Sequence, residues 1–156
     1  MSDHLVESYD KQLELINSNL VKMGGLVEQQ VKDSLKALDE KDTEFAEEIL
    51  KKDDKIDNLE KDIYALAYKI IAMRQPMAND LRTVVSALSI ANDLERMGDH
   101  ATNVAKRVAN VKVSMPSQSI SKIVQMGDDV QKMIKNVLDA FILSLIHISE
   151  PTRLGA

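Results

Sequence analysis

The stretch "IANDLERMGDHATNVAKRVAN", residues 90–110, sets Glu95, Asp99 and Asn103 four residues apart. On an α-helix that spacing brings all three side chains to one face. Like charges so placed repel, costing an isolated helix a few tenths of a kcal/mol. Such a row is either a solvated face balanced by its neighbours or a site for a cation. Lys52, Lys55, Lys61, Arg96 and Lys106 are available for ordinary surface pairs, which stabilise little. Under the cation reading, oxygen ligands with no cysteine and few histidines suit a hard ion such as Mg, Mn or Ca, or an iron centre. The Glu-x-x-His ligand pair of di-iron bundles is absent, which disfavours their oxidase chemistry. His100 adjoins Asp99 and reads as a solvated histidine. There is no Gly-rich phosphate loop and no Ser/His or Cys/His pairing, so nothing signals catalysis.

A second acidic set comes earlier, at Asp53, Asp57 and Glu60. If the chain doubles back at Pro76, Glu95 falls level with Asp57 and Asp99 level with Asp53. Glu28 and the Gly24–Gly25 pair reach a similar height on the preceding segment. Levels reckoned this way hold to about one helical turn. Carboxylates gathered at one height raise one another's pKa or hold a cation.

Three long helical patterns must position these residues. The first has an apolar stripe at Leu13, Ile16, Leu20, Met23, Val27, Val31, Leu35 and Leu38. The second, capped by Asp42 or Thr43, runs through Phe45, Ile49, Lys52, Ile56, Leu59, Ile63, Leu66, Ile70 and Met73, interrupted only by Lys52, whose stem can lie along apolar surface. It ends at "MRQPMAND", where Pro76 suits the first turn of the next helix. The third presents Ala87, Ile90, Leu94, Met97, Ala101, Val104, Val108 and Val111 in steps of three and four. Asn92, Glu95, Asp99 and Asn103 fall opposite that stripe, continuing a line begun by Leu81, Val85 and Leu88, which is expected to meet a partner. Connections this short make neighbouring helices antiparallel, so residues 1–113 read as an up-down-up three-helix bundle.

Composition agrees with an all-α fold. The 156 residues include two Phe, three Tyr and no Trp, leaving Leu, Ile, Val, Met and Ala to build the core. A net charge of −5 and the lack of aromatic platforms argue against a nucleic-acid surface. Zero cysteines fit a reducing compartment. "MSDHLVESYD" has no signal-peptide character, and no run approaches the ~18 apolar residues of a membrane span. The expectation is a cytoplasmic protein without membrane insertion.

A looser segment, "KVSMPSQS", precedes a fourth helical pattern that repeats the first. At an offset of 103, "LVKMGGLVEQQVKDSLKAL" and "IVQMGDDVQKMIKNVLDAF" share seven of nineteen residues, a Met-Gly pair among them. Residues 114–142 therefore read as a linker and the first helix of a second, incomplete bundle. Residues 143–156, "LSLIHISEPTRLGA", show no amphipathic period and have no counterpart in the first repeat. Leu143 to Arg153 is similar to a translated sequencing-library adaptor, so this segment is expected to be a non-native tail.

"RQPMANDLRTVVSALSIANDLERMGDHATNVAKR", residues 74–107, closely resembles the PhoU family of phosphate-uptake regulators. "LVKMGGLVEQQV" and "DDKIDNLEKDI" fit the same family, so the resemblance covers about residues 1–142. It implies two three-helix bundles in tandem, the second one truncated here. It also implies metal binding at acidic Glu/Asp-x-x-x-Asp motifs, which fall on Glu95 and Asp99 and on Asp53 and Asp57. Asn103 joins these as a further metal ligand, and Asp80 and Arg82 match family-typical positions read as an interaction surface. The implied ion is divalent or iron-type: Fe, Mn, Mg or Zn.

The resemblance further implies a cytoplasmic, non-enzymatic negative regulator of phosphate uptake and of the phosphate-starvation response. It would bridge a phosphate ABC importer ATPase and a sensor histidine kinase, and it would form a homo-oligomer. Two other readings of the residues stand beside it. One is a carboxylate-rich helical metalloprotein with storage, redox or hydrolytic activity. The other is a metal-free bundle acting through protein contacts alone.

Overall fold

The computed structural model describes residues 2–110 and 114–149. The chain forms α1 (Ser2–Glu40), α2 (Thr43–Lys52), α3 (Asp54–Arg74), α4 (Asn79–Asn110) and α5 (Ser117–Ser149). Helices α1, α2 with α3, and α4 make the expected up-down-up bundle, and α5 packs back along α1.

The turn out of α1 is set by backbone hydrogen bonds. Lys41 takes a left-handed φ of 53°, its N–H donates to Leu38 O at 3.3 Å, and the Asp42 N–H donates to Ala37 O at 3.0 Å. That pattern satisfies two carbonyls that the helix end leaves without partners. Asp42 then caps α2, its Oδ1 accepting from the Phe45 N–H at 2.9 Å.

The second helical pattern is not continuous. At Asp53 the backbone tightens to i→i+3 bonds, with Asp53 N–H to Leu50 O at 3.5 Å and Ile56 N–H to Asp53 O at 3.1 Å. The dihedrals there stay helical, at φ −59° and ψ −38°. Asp53 is drawn inward by hydrogen bonds from two other helices, and α2 and α3 part where it does so.

Pro76 lies outside both α3 and α4, not in the first turn of the latter as expected. Gln75 (φ 46°) and Ala78 (φ 48°) on either side take left-handed conformations, so the connection spans four residues and α4 starts at Asn79.

The core row of α4 differs from the expected stripe by a partial rotation. In α4 the buried row is Val84, Ala87, Ala91, Leu94, Gly98, Ala101, Ala105 and Val108, while Ile90 is 37% exposed and Met97 and Val104 are half-buried. The bundle places the small residues at its closest crossings and leaves the larger aliphatics to the flank. In α1 Ile16, Leu20, Met23, Val27, Leu35 and Leu38 of the expected stripe are buried, joined by Gln30, Ser34 and Ala37. Steps of three and four are kept in both helices.

Two apolar clusters result. One gathers Leu20, Met23, Val27, Ile56, Ile63, Val84 and Ala91 with their neighbours; the other gathers Ala37, Leu38, Ala46, Ile49, Ala105, Val108 and Ile120. Between them lies a polar layer of Gln30, Asp53 and Thr102.

Helix α5 runs antiparallel to α1. Leu138 lies over Gly24, and Leu35 lies over Gly127. Its inward residues include Ile120 and Ile134. The helix continues past Ile142 to Ser149, so residues 143–149 are helical where no amphipathic helix was expected; the rest of the expected tail, 150–156, lies outside the described residues.

Candidate metal centre

The acids meet between α3 and α4. A methyl group on Gly98 would stand 3.2 Å from Ile56 Cδ1, a tight contact that the isoleucine would have to ease by a few tenths of an ångström. On either side of this contact, α3 contributes Asp57 and α4 contributes Glu95 and Asp99. One carboxylate oxygen from each of the three lies within 4.8 Å of the others. Asp57 and Glu95 are half-buried and Asp99 is exposed, so the group opens to solvent along one edge.

The electrostatics follow from this crowding. Burial raises the Glu95 carboxyl most, a hydrogen bond with Asp99 and the Asp99 charge add to it, and Glu60 and Asp57 contribute further, to about 7. Asp57 is raised by burial, then by Asp53 and Asp99. Glu60 is raised by burial, then by Asp57 and Asp99. Lys61 offsets part of the repulsion at Asp57 and Glu60. Among the described residues the ion pairs are Lys11–Glu7 at 3.0 Å and Lys132–Asp129 at 3.5 Å, neither of them at the cluster. Lys52 and Lys55 line a separate groove with Gln29 and Asp33.

Asp53 stands beside this group and is committed inward. Its Oδ1 accepts from Gln30 Nε2 at 2.9 Å and from Thr102 Oγ1 at 2.7 Å. Thr102 is 2% exposed and Gln30 7%. Gln30 Nε2 also approaches Thr102 Oγ1, and it reaches Gly98 O at 3.3 Å. The layer thus ties α1, the α2–α3 break and α4 together at the level of the acids.

Glu95 stands level with Asp57 as expected, and the departure at Asp53 is three residues, within the one-turn tolerance of that reckoning. Thr102, not Asp99, stands level with Asp53, and Asp99 meets Asp57. Asn103 is exposed one turn beyond Asp99, and Glu28 is half-buried on α1 outside the three-acid group. Gly24 faces Leu138 on α5 and not the acids. Asp80 and Arg82 sit near the start of α4, about 20–28 Å from the cluster along the helix. There Asp80 helps to raise the Tyr9 phenol, after burial. Arg82 borders a groove with Asn17, Ser86 and Phe141. Sequence reasoning missed Gln30 and Thr102, although a polar residue within a core row at Gln30 was the signal to look for.

The family model described as the PhoU domain matches residues 20–108. This chain belongs to the PhoU family. It is 39% identical over 135 residues to the phosphate-specific transport system accessory protein PhoU homolog of Clostridium acetobutylicum, covering 86% of this chain and 62% of that one. To the Pseudomonas aeruginosa homolog of the same description it is 37% identical over 142 residues, covering 90% and 59%. The chain therefore spans about three fifths of the length of these PhoU relatives. The crystal structure of PhoU from Pseudomonas aeruginosa superposes with a TM-score of 0.76 at 38% identity, covering 86% of this chain and 65% of that one. That of the phosphate transport system regulatory protein PhoU from Streptococcus pneumoniae gives 0.78 at 34%, covering 86% and 63%. The all-helical PhoU fold is thus common to all three. Among the described residues no helix is long and apolar enough to cross a membrane.

Proposed function

We propose that this chain is a metal-binding regulatory adaptor of phosphate uptake, holding a divalent or iron-type ion at Asp57, Glu95 and Asp99. The observation that carries the reading is the convergence of those three carboxylates within 4.8 Å, with no described cation in contact. The residues fit such a group. All donors are oxygen, the choice of hard cations, and a Glu95 pKa raised to about 7 reflects repulsion that a cation relieves. The bound ion would supply positive charge in place of the shared protons. The chain's own residues do the rest. Gly98 leaves room for Ile56 between α3 and α4, the polar layer holds Asp53 beside the site, and Asp53 and Asn103 flank the three acids as further oxygen donors. Fe, Mn, Mg and Zn are the ions to examine.

The regulatory role rests on family membership and on relatives described as accessory proteins of phosphate-specific transport. In this reading the chain acts in the cytoplasm as a negative regulator between the phosphate importer ATPase and a sensor kinase, with no reaction of its own. Residues 1–113 form the adaptor unit and 114–142 begin a second. Asp80 and Arg82 contribute the partner contact, together with the exposed apolar Met73, Met77, Leu81 and Val85 at the same end.

Metal content and melting temperature of the purified chain, with Glu95→Ala and Asp99→Ala, test the site. Both variants should lose bound metal and the stabilisation that added Mn²⁺ confers. Unchanged content and melting in both would overturn the metal site. Capture of the importer ATPase by the metal-free double variant would keep the adaptor role and remove its dependence on metal.

A further inference from the structure

Asp53 occupies the break between α2 and α3, where an aspartate ordinarily caps the following helix with its own carboxylate. Here it makes no such cap. Its Oδ1 accepts instead from Gln30 Nε2 on α1 at 2.9 Å and from Thr102 Oγ1 on α4 at 2.7 Å. Both donors fall on that one oxygen, and among the described residues Oδ2 has no hydrogen-bond partner. Gln30 and Thr102 are buried between the two apolar clusters of the core. Polar groups so placed cost stability unless they are paired, and apolar residues could fill both positions. What the pair achieves is to fix one carboxylate oxygen beside the acidic centre. Asp53 is near enough to Asp57 that its charge helps to raise that carboxyl, after burial.

Given the metal site at Asp57, Glu95 and Asp99, on which this rests, we propose that Gln30 and Thr102 are its positioning residues. They hold Asp53 by Oδ1 and leave Oδ2 to the ion. An aspartate at a helix break could otherwise turn towards solvent, and two donors from two other helices remove that freedom. The protons run in one direction. Gln30 Nε2 also approaches Thr102 Oγ1, so the threonine accepts from Gln30 while donating its single proton to Asp53. Loss of a residue that orients a metal ligand in this way lowers affinity by about 10–100-fold.

Mn²⁺ titration of the chelator-treated 156-residue chain, read by the electron paramagnetic resonance of free Mn²⁺, tests the assignment. Thr102→Val should weaken binding about 10–100-fold, whereas Thr102→Ser, which keeps the hydroxyl, should stay within about threefold of the parent. Ser34→Ala removes another buried hydroxyl, one without a hydrogen-bond partner, and should leave binding unchanged. In an Asp53→Asn background, Thr102→Val should weaken binding no further. Gln30→Met makes the same demand as Thr102→Val, should circular dichroism show that the latter does not fold. A parent chain that loses Mn²⁺ on Glu95→Ala but keeps its affinity in Thr102→Val and Gln30→Met overturns the positioning role and leaves the metal site standing. Equal weakening by Thr102→Val with and without Asp53→Asn also overturns it, since the effect would not pass through Asp53. A parent chain that binds no Mn²⁺ removes the metal site and this role together.

Discussion

Leu138 packs over Gly24 so closely that any side chain at that glycine would collide with it. At the offset of 103 that separates the repeats, Gly24 corresponds to Gly127 and Leu35 to Leu138. Since Leu35 covers Gly127 in turn, one contact is made twice around a local two-fold axis. Gly24→Ala is therefore expected to destabilise the docking of α5 by about 1–3 kcal/mol, although alanine favours an isolated helix. Thermal melting checks this, and the double variant Gly24→Ala with Leu138→Ala should recover part of the loss relative to the sum of the single changes. Gly25, with open space around it, should tolerate alanine.

The acids make the metal-free protein pH-sensitive in a definite direction. Glu95 titrates near 7 when folded against an ordinary value of 4.5, and Asp57 and Glu60 are raised as well. Below the unfolded value both states hold the Glu95 proton. Between about 4.5 and 7 only the folded state holds it, so the associated stability is lost as pH rises through 7. The melting temperature without metal should be higher at about pH 5 than above pH 7, and Glu95→Gln should reduce that difference. Added Mn²⁺ should stabilise more above pH 7, where protons no longer compete for the carboxylates.

Thr102→Val removes a buried donor from Asp53 at nearly constant volume. The expected cost is about 1–3 kcal/mol, because a carboxylate in the polar layer loses a partner that water replaces poorly. Gln30→Leu should cost a similar amount, and a double-mutant cycle should show coupling through the shared Asp53 oxygen.

Ala91 and Ile90 exchange the roles that their sizes suggest. Ala91 is fully buried and Ile90 is 37% exposed. Ala91→Leu is expected to overpack the bundle by about 1–3 kcal/mol, whereas Ile90→Ala should cost under about 1 kcal/mol. Denaturant unfolding of the two variants distinguishes the observed helix rotation from the one that aliphatic size alone suggests.

Glu95 and Asp99 were visible as a pair because i, i+4 spacing is a local property of any helix. That Asp57 stands level with Glu95 followed from doubling the chain back at Pro76, whereas the inward commitment of Asp53 to Gln30 and Thr102 did not show in the sequence. The left-handed Gln75 and Ala78 of the α3–α4 connection were not legible either, since neither is a glycine to announce the conformation. Asp42 was legible as a cap, while the break at Asp53 was not, since its cause is hydrogen bonding to Gln30 and Thr102, 23 and 49 residues away in the chain.

What the sequence determined alone was periodic and local: helix identity, the order up-down-up, the internal repeat, the acidic spacing and the family. Short-range propensity and patterning act within a few turns, so they can be read without coordinates. Tertiary structure decided the rotation of α4 onto its small residues, the polar layer and the choice of three acids among five candidates. These depend on which helices can approach most closely, and that is settled by glycines and alanines meeting large side chains from distant segments.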